Sequence, residues 1–173
     1  MRLILFRHGP AGEADATKWP DDRLRPLTPR GMRRTREAAR GLARLEPGVT
    51  LIVSSPLERA VQTAAILRDV LEIEAPVVEQ PELAVGGAIR ELLKALPEGT
   101  EGEAIVLVGH EPHLGKLAGT LLFGAPAHMP IKKAGACAVQ FDGPPQSGAG
   151  QLAWFLPPRA LRRLKRGKQH ARA

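Results

Sequence analysis

The chain is predicted to fold as an α/β protein with a mainly parallel central sheet flanked by helices on both faces. Three observations carry this. Apolar runs at 3–6, 51–53 and 105–108 have no polar face, which suits strands covered on both sides. Each run is followed, at once or after a loop, by an amphipathic stretch with helix-start signals. The strands and helices therefore alternate, the pattern of parallel strands joined by crossover helices.

The elements follow in order. Residues 3–6 form the first strand, and Arg7, His8 and Gly9 stand where it ends. Residues 11–26 are polar, partly acidic and broken by Pro20 and Pro26, which predicts a loop over the sheet edge. Thr28 reads as the cap and Pro29 as the first turn of a helix with Met32, Thr35, Ala39, Leu42 and Leu45 facing the core, closed by Pro47 and Gly48. After the second strand, Ser55 reads as a cap, Pro56 as the first helical position and Glu58 as completing a capping box, so Arg59 lies near the helix start. Leu57, Val61, Ala64, Leu67 and Leu71 line one face of that helix, and Val77 and Val78 predict a short strand. Gly86 and Gly87 introduce a short helix bearing Ile89, Leu92, Leu93 and Leu96. Beyond the third run, Gly109, His110 and Glu111 lead to Pro112, which opens a helix carrying Leu114, Leu117, Ala118, Leu121 and Leu122. Residues 134–142 and 151–156 read as strands joined through Gly143, Pro144, Pro145 and Gly148.

At 173 residues and 43% hydrophobic, the chain is expected to form a single domain over 1–173. No stretch approaches the roughly 20 apolar residues of a membrane span, and residue 1 runs straight into the first strand without a leader. No membrane partner is expected, and a cytoplasmic location is the default. The single cysteine, Cys137, lies in an apolar stretch without a nearby base and reads as a buried structural thiol. The net charge of +7 belongs to the segment 159–173, where Arg159, Arg162, Arg163, Lys165, Arg166, Lys168 and Arg172 meet no acid. Setting those seven aside leaves 18 basic residues against 18 acidic ones. Pro158 starts a predicted helix there, with Arg159, Arg162, Arg163 and Arg166 on one face and Leu161 and Leu164 turned elsewhere. A docked helix with a solvated basic face is favoured over a nucleic-acid contact. Aromatic residues make up 3% of the chain and tyrosine is absent, which leaves little to stack on bases.

Ligands of open α/β sheets bind beyond the carboxyl ends of the strands. Three strand ends deliver Arg7, His8, Arg59 and His110 to one edge, beside helix starts whose free N–H groups attract anions, so the expected ligand is a phosphate. Phosphoryl transfer needs charge neutralisation and an in-line nucleophile. A neutral imidazole attacks phosphorus if its other nitrogen carries the proton and is held by an acceptor; a backbone carbonyl near Gly9 suits. Arg7 and Arg59 would orient the phosphoryl group by bidentate contacts, and a protonated His110 would add a third donor. Arg25 is placed either to reach the phosphate from the overlying loop or to stand as a surface charge.

These residues resemble the histidine phosphatase superfamily, also called phosphoglycerate mutase-like, and within it the SixA type phosphohistidine phosphatases. Arg7-His8-Gly9 resembles the defining motif, SPLERAVQT at 55–63 the segment supplying the second arginine, and VGHEP at 108–112 that supplying the second histidine. RPLTPRG at 25–31, PELAVGG at 81–87 and FLPPRAL at 155–161 are similar to SixA-type stretches. The resemblance spans nearly the whole chain. It implies a phosphoglycerate mutase-like fold and a metal-independent phosphatase with His8 as the phosphorylated nucleophile. Arg7, Gly9, Arg59 and His110 would bind substrate. Two departures stand out. Larger members place a glutamate general acid in an insert; this chain offers only Glu82 and Glu91 in that region, so the proton donor is unassigned. Ala88 stands where relatives often carry an acid after the glycine pair. A missing acid is tolerable if the leaving group is an imidazole, which makes a phosphohistidine protein the leading substrate and a small phosphate ester the alternative. A mutase is disfavoured, because the chain has little room for a substrate-enclosing insert.

Outside that class, the rival is a noncatalytic phosphate or nucleic-acid binding module using the basic tail. His113 reads as a first-turn helix residue, His128 as a loop position and His170 as part of the tail. The HEPH at 110–113 is one residue short of the zinc-binding H-E-x-x-H spacing and contains proline, so neither metal nor cofactor is expected.

Overall fold

The computed structural model describes residues 1–96 and 103–164. Strands β1 (Arg2–Arg7), β2 (Val49–Ser54), β3 (Val78–Glu79), β4 (Ala104–Gly109), β5 (Ala136–Gln140) and β6 (Gln151–Leu156) form one sheet in the order β3-β2-β4-β1-β5-β6. The first four positions are parallel, and β5 and β6 extend the β1 side antiparallel. Helices α1 (Pro29–Leu45), α2 (Glu58–Leu71) and α5 (Pro158–Arg163) cover one face; α3 (Ile89–Ala95) and α4 (His113–Phe123) cover the other. Successive residues of a strand point to opposite faces. Ile4 and Phe6 accordingly enter the core beneath α1 and α2, while Leu3 and Leu5 enter the one beneath α3 and α4, all fully buried. Two buried faces are why the strand sequences carry no polar alternation.

The strand order positions the site. The chain leaves β1 toward the α1 face and leaves β4 toward the α4 face, although β1 and β4 are neighbours. Connections that diverge from adjacent strands open a crevice at their carboxyl ends. Register completes it: Arg7 pairs with Gly109, so His8 and His110 follow side by side.

Three local expectations are corrected. Thr28 does cap α1, its hydroxyl accepting the Gly31 N–H at 2.9 Å, but Met32 is 40% exposed. The buried stripe is Gly31, Thr35, Ala38, Ala39, Gly41 and Leu42, and neighbouring backbone approaches it at Gly31 and Gly41. The capping box at α2 does not form. Leu57 occupies the cap position, Glu58 accepts from Gln62 Nε2 at 2.7 Å, and Ser55 Oγ accepts the Leu57 N–H at 3.3 Å and meets His110 Nε2 at 2.9 Å. Pro112 caps α4 and the helix begins at His113.

At the C-terminal end α5 docks on α1, with Leu161 buried, Arg162 3.6 Å from Glu37 and the Arg44 guanidinium on the Leu164 carbonyl. Arg159 and Arg163 are exposed, whereas Lys165, Arg166, Lys168, His170 and Arg172 lie outside the described residues. A Cβ on Gly41 would stand 2.0 Å from the Leu161 carbonyl oxygen, so the α1–α5 packing requires glycine there. Gly41→Ala is expected to destabilise by about 1–3 kcal/mol, overpacking outweighing alanine's better helix propensity. Urea midpoints check this, with Gly143→Ala, where an added Cβ meets nothing, as the control. Cys137 is buried in β5, and burial pushes its thiol pKa up to about 12. Among the described residues no helix is long and apolar enough to cross a membrane.

Candidate active site

His8 leaves β1 into the crevice and is buried. Its Nδ1 is 2.7 Å from the Gly9 carbonyl oxygen. A carbonyl can only accept, so Nδ1 carries the proton and the lone pair sits on Nε2. The Gly9 backbone is held in turn: its N–H donates to Thr63 Oγ1 at 3.0 Å, and the Thr63 hydroxyl donates to the Arg59 carbonyl at 2.7 Å. A side chain at Gly9 would place Cβ 2.0 Å from Thr35 Oγ1. Both backbone polar groups of Gly9, expected to contact substrate, have partners within the protein.

His110 follows β4, with its ring centroid 4.9 Å from that of His8. Its Nε2 meets Ser55 Oγ and its buried Nδ1 has no partner among the described residues. Burial, then the neighbouring His110 charge, push the His8 pKa down to about 2; burial, Arg59 and Arg7 push His110 down to about 3. Burial favours the neutral form of both rings, and a neutral His110 ring still carries one N–H. Unfolding restores a pKa near 6.5. The folded values are depressed, so the stability these rings contribute is complete above about pH 6.5 and is lost progressively as pH falls toward 3. Between pH 7.5 and 5.0 the loss amounts to about 2 kcal/mol per histidine. Melting curves at the two pH values should show a smaller drop for His110→Gln than for the native chain.

Arg7 directs Nη1 to the Ile131 carbonyl at 2.8 Å, leaving its buried Nε unpartnered among the described residues. The loop bearing Ile131 is itself fixed by Glu111, which accepts from the Ile131 N–H at 3.0 Å and meets His128 Nε2 at 2.9 Å. Arg59, in the first turn of α2, is buried and its Nε is likewise unpartnered. Burial lowers the pKa of both guanidiniums. From the loop over the sheet edge, Asp22 meets Arg59 twice: its carbonyl accepts Nη1 at 2.9 Å and its carboxylate lies 3.2 Å from Nη2. Arg25 Nε donates to the same carboxylate at 2.6 Å, and Arg25 Nη1 to the Gly12 carbonyl. Hydrogen bonding to Arg25, then the nearby Arg59 charge, holds the Asp22 carboxyl below its usual range. With its side chain 11% exposed, Arg25 is no free surface charge.

The structure thus gathers Arg7, His8, Gly9, Arg59 and His110 into one crevice, with Arg25 joined to it through Asp22. Sequence reasoning missed Asp22, Thr63, Ser55 as the His110 partner, and Lys133. The Lys133 pKa is lowered by partial desolvation, then by Arg7, Arg25 and Arg59. None had a local signal, because each reaches the site through tertiary packing. His113, the first residue of α4, is buried and hydrogen-bonds the Glu82 carbonyl. Its Nε2 is buried without a partner among the described residues. The two acid candidates separate: Glu91 is exposed and paired with Lys94, whereas Glu82 keeps a buried Oε2 with no partner among the described residues.

An open α/β sheet with neutral histidines and arginine donors at its switch point defines a class, the phosphoryl-binding α/β proteins. The pattern of the histidine phosphatase superfamily (branch 1) matches residues 3–85. The phosphohistidine phosphatase SixA of Escherichia coli is 32% identical over 169 residues, covering 95% of this chain and 99% of that protein. An uncharacterized protein of Picosynechococcus is 41% identical over 155 residues, 88% of each chain. The solved structure of a SixA protein histidine phosphatase with tungstate superposes with a TM-score of 0.75 at 25% identity, covering 93% and 99% of the two chains. The chain belongs to the histidine phosphatase superfamily (branch 1), and it is a SixA-like phosphatase.

Proposed function

We propose that this phosphatase hydrolyses phosphohistidine on a protein partner in the cytoplasm, with His8 as nucleophile. The observation that carries this reading is the pair of unpartnered buried donors, Arg7 Nε and Arg59 Nε, with the unpartnered His110 Nδ1 nearby, around an imidazole with its Nδ1 proton fixed on Gly9. Buried donors without partners are costly, and a phosphoryl group supplies the missing acceptors. His8 Nε2 attacks phosphorus and forms a P–N bond as the bond to the leaving imidazole breaks. That imidazole, protonated before or as it leaves, departs neutral and needs no strong protein acid. Water then attacks the phospho-His8 phosphorus, the second P–N bond breaks, and inorganic phosphate leaves with neutral His8 restored.

A second reading, hydrolysis of a small phosphate ester, rests on Glu82. An alkoxide leaving group needs a proton, and the unpartnered Glu82 carboxylate stands on the turn whose Leu83 carbonyl oxygen lies against Gly109. One experiment separates the two: kcat/KM for a phosphohistidine protein and for an alkyl phosphate, in the native chain and in Glu82→Gln. The proposed function expects a preference of about a hundredfold or more for phosphohistidine, about 2.7 kcal/mol in transition-state stabilisation, little changed by Glu82→Gln. A preference for the ester, lost in Glu82→Gln, establishes the second reading instead.

A further inference from the structure

The loop 131–135 is fastened to the nucleophile's strand end. The Ala134 N–H lies 3.1 and 3.2 Å from the carbonyls of Arg7 and His8, and Arg7 N donates to the Gly135 carbonyl at 3.1 Å. With the Arg7 guanidinium on Ile131, the residues on both sides of Lys133 are tied to Arg7. Ala134 adopts φ 58°, a left-handed conformation that is unfavourable for a residue with a Cβ, so these bonds hold the loop in a shape it would not choose alone.

Lys133 is carried by that loop beside the pocket with its side chain exposed. Four cations now share one region. Arg25 and Arg59 share the Asp22 carboxylate, and Arg7 feels the Glu111 carboxylate. Lys133 has no carboxylate within 4 Å among the described residues, and the charges acting on it are the three guanidiniums. When a phosphoryl group occupies Arg7 and Arg59, Lys133 remains the cation without a counter-charge.

We propose that Lys133 binds a second anionic group of the substrate, a carboxylate or further phosphate close beside the transferred phosphoryl group. This rests on the pocket binding a phosphoryl group, and it names a specificity determinant of the same site. Two sources supply the chemistry: a small phosphate ester with its own acid, or acidic residues flanking a phosphohistidine.

The test reads affinity by calorimetry in the His8→Ala background, so that binding is measured apart from turnover. One matched pair is 3-carboxyphenyl phosphate and phenyl phosphate; the other is a phosphohistidine peptide flanked by glutamates and the same peptide flanked by glutamines. The expected result is a preference of about fivefold for the more anionic member of at least one pair, the scale of a partly exposed ion pair. That preference should vanish in Lys133→Met and persist in Lys133→Arg. Which pair responds identifies the source. A preference below twofold in both pairs, or one that survives Lys133→Met, overturns the proposal. Failure of the catalytic reading looks different: tight binding of both members with no His8-dependent turnover in the native chain.

Discussion

His8→Ala should abolish turnover while the fold persists, lowering kcat by about 10⁴-fold or more, the scale seen when a nucleophile is removed from a preorganised site. The geometry explains the size. His8 is the imidazole whose Nδ1 proton is fixed by its own backbone neighbour, which leaves the lone pair on Nε2, and burial lowers its pKa so that the neutral, nucleophilic form is favoured. His110 differs in that its ring meets a hydroxyl, which can donate or accept, and no carbonyl presets its lone pair as Gly9 does for His8. The fold should tolerate the change, because the strand's packing is made by residues 3–6 and His8 lies beyond them. Two measurements check it. Steady-state rates should collapse while the melting transition stays cooperative, and brief incubation with labelled substrate should leave an acid-labile phosphate on the native chain and none on the variant. Persistent turnover in His8→Ala would exclude the phosphohistidine intermediate.

Arg59→Ala is expected to reduce kcat/KM by about 10³-fold, comparable to the loss of a preorganised donor aimed at developing charge. Arg59→Lys should recover only part of this, since an ammonium restores charge without the planar fork. Arg59 also holds the loop over the sheet edge through Asp22, so the variant tests two roles at once. Asp22→Asn separates them. It weakens the carboxylate pairing while leaving the guanidinium in the pocket, and its loss should be at most about tenfold, the scale of one partly exposed ion pair. If Asp22→Asn costs as much as Arg59→Ala, the arginine acts by holding the loop and the anion-clamp role fails. Hydrogen exchange over residues 12–25 should rise in both variants.

What was readable in the sequence was local. Residues 3–6 announce a strand buried on both faces because no residue among them tolerates water, and the Thr28-Pro29 start of α1 is legible because capping chemistry spans four residues. The basic pair at the end of β1, the arginine at the start of α2 and the histidine after β4 were visible for the same reason. Strand ends and helix starts are written in contiguous residues. The capping box at 55–58 failed for the opposite reason: Ser55 has a better partner 55 residues away in His110. Met32 was misplaced because helical spacing alone admits neighbouring stripes, and the packing of α5 and α2 against small residues selects one of them.

The sequence by itself therefore determined the elements, the nucleophile candidate and its two companion strand ends, because those follow from short-range periodicity and turn chemistry. Only the tertiary structure decided which atoms face one another. It placed β4 beside β1 to bring the His8 and His110 ring centroids within 4.9 Å, proton-locked His8 on Gly9, set Asp22 between two arginines and left Lys133 without a carboxylate within 4 Å among the described residues. Those facts depend on strand order and loop docking, and burial then favours the neutral form of two ordinary histidines. No contiguous stretch of residues encodes either.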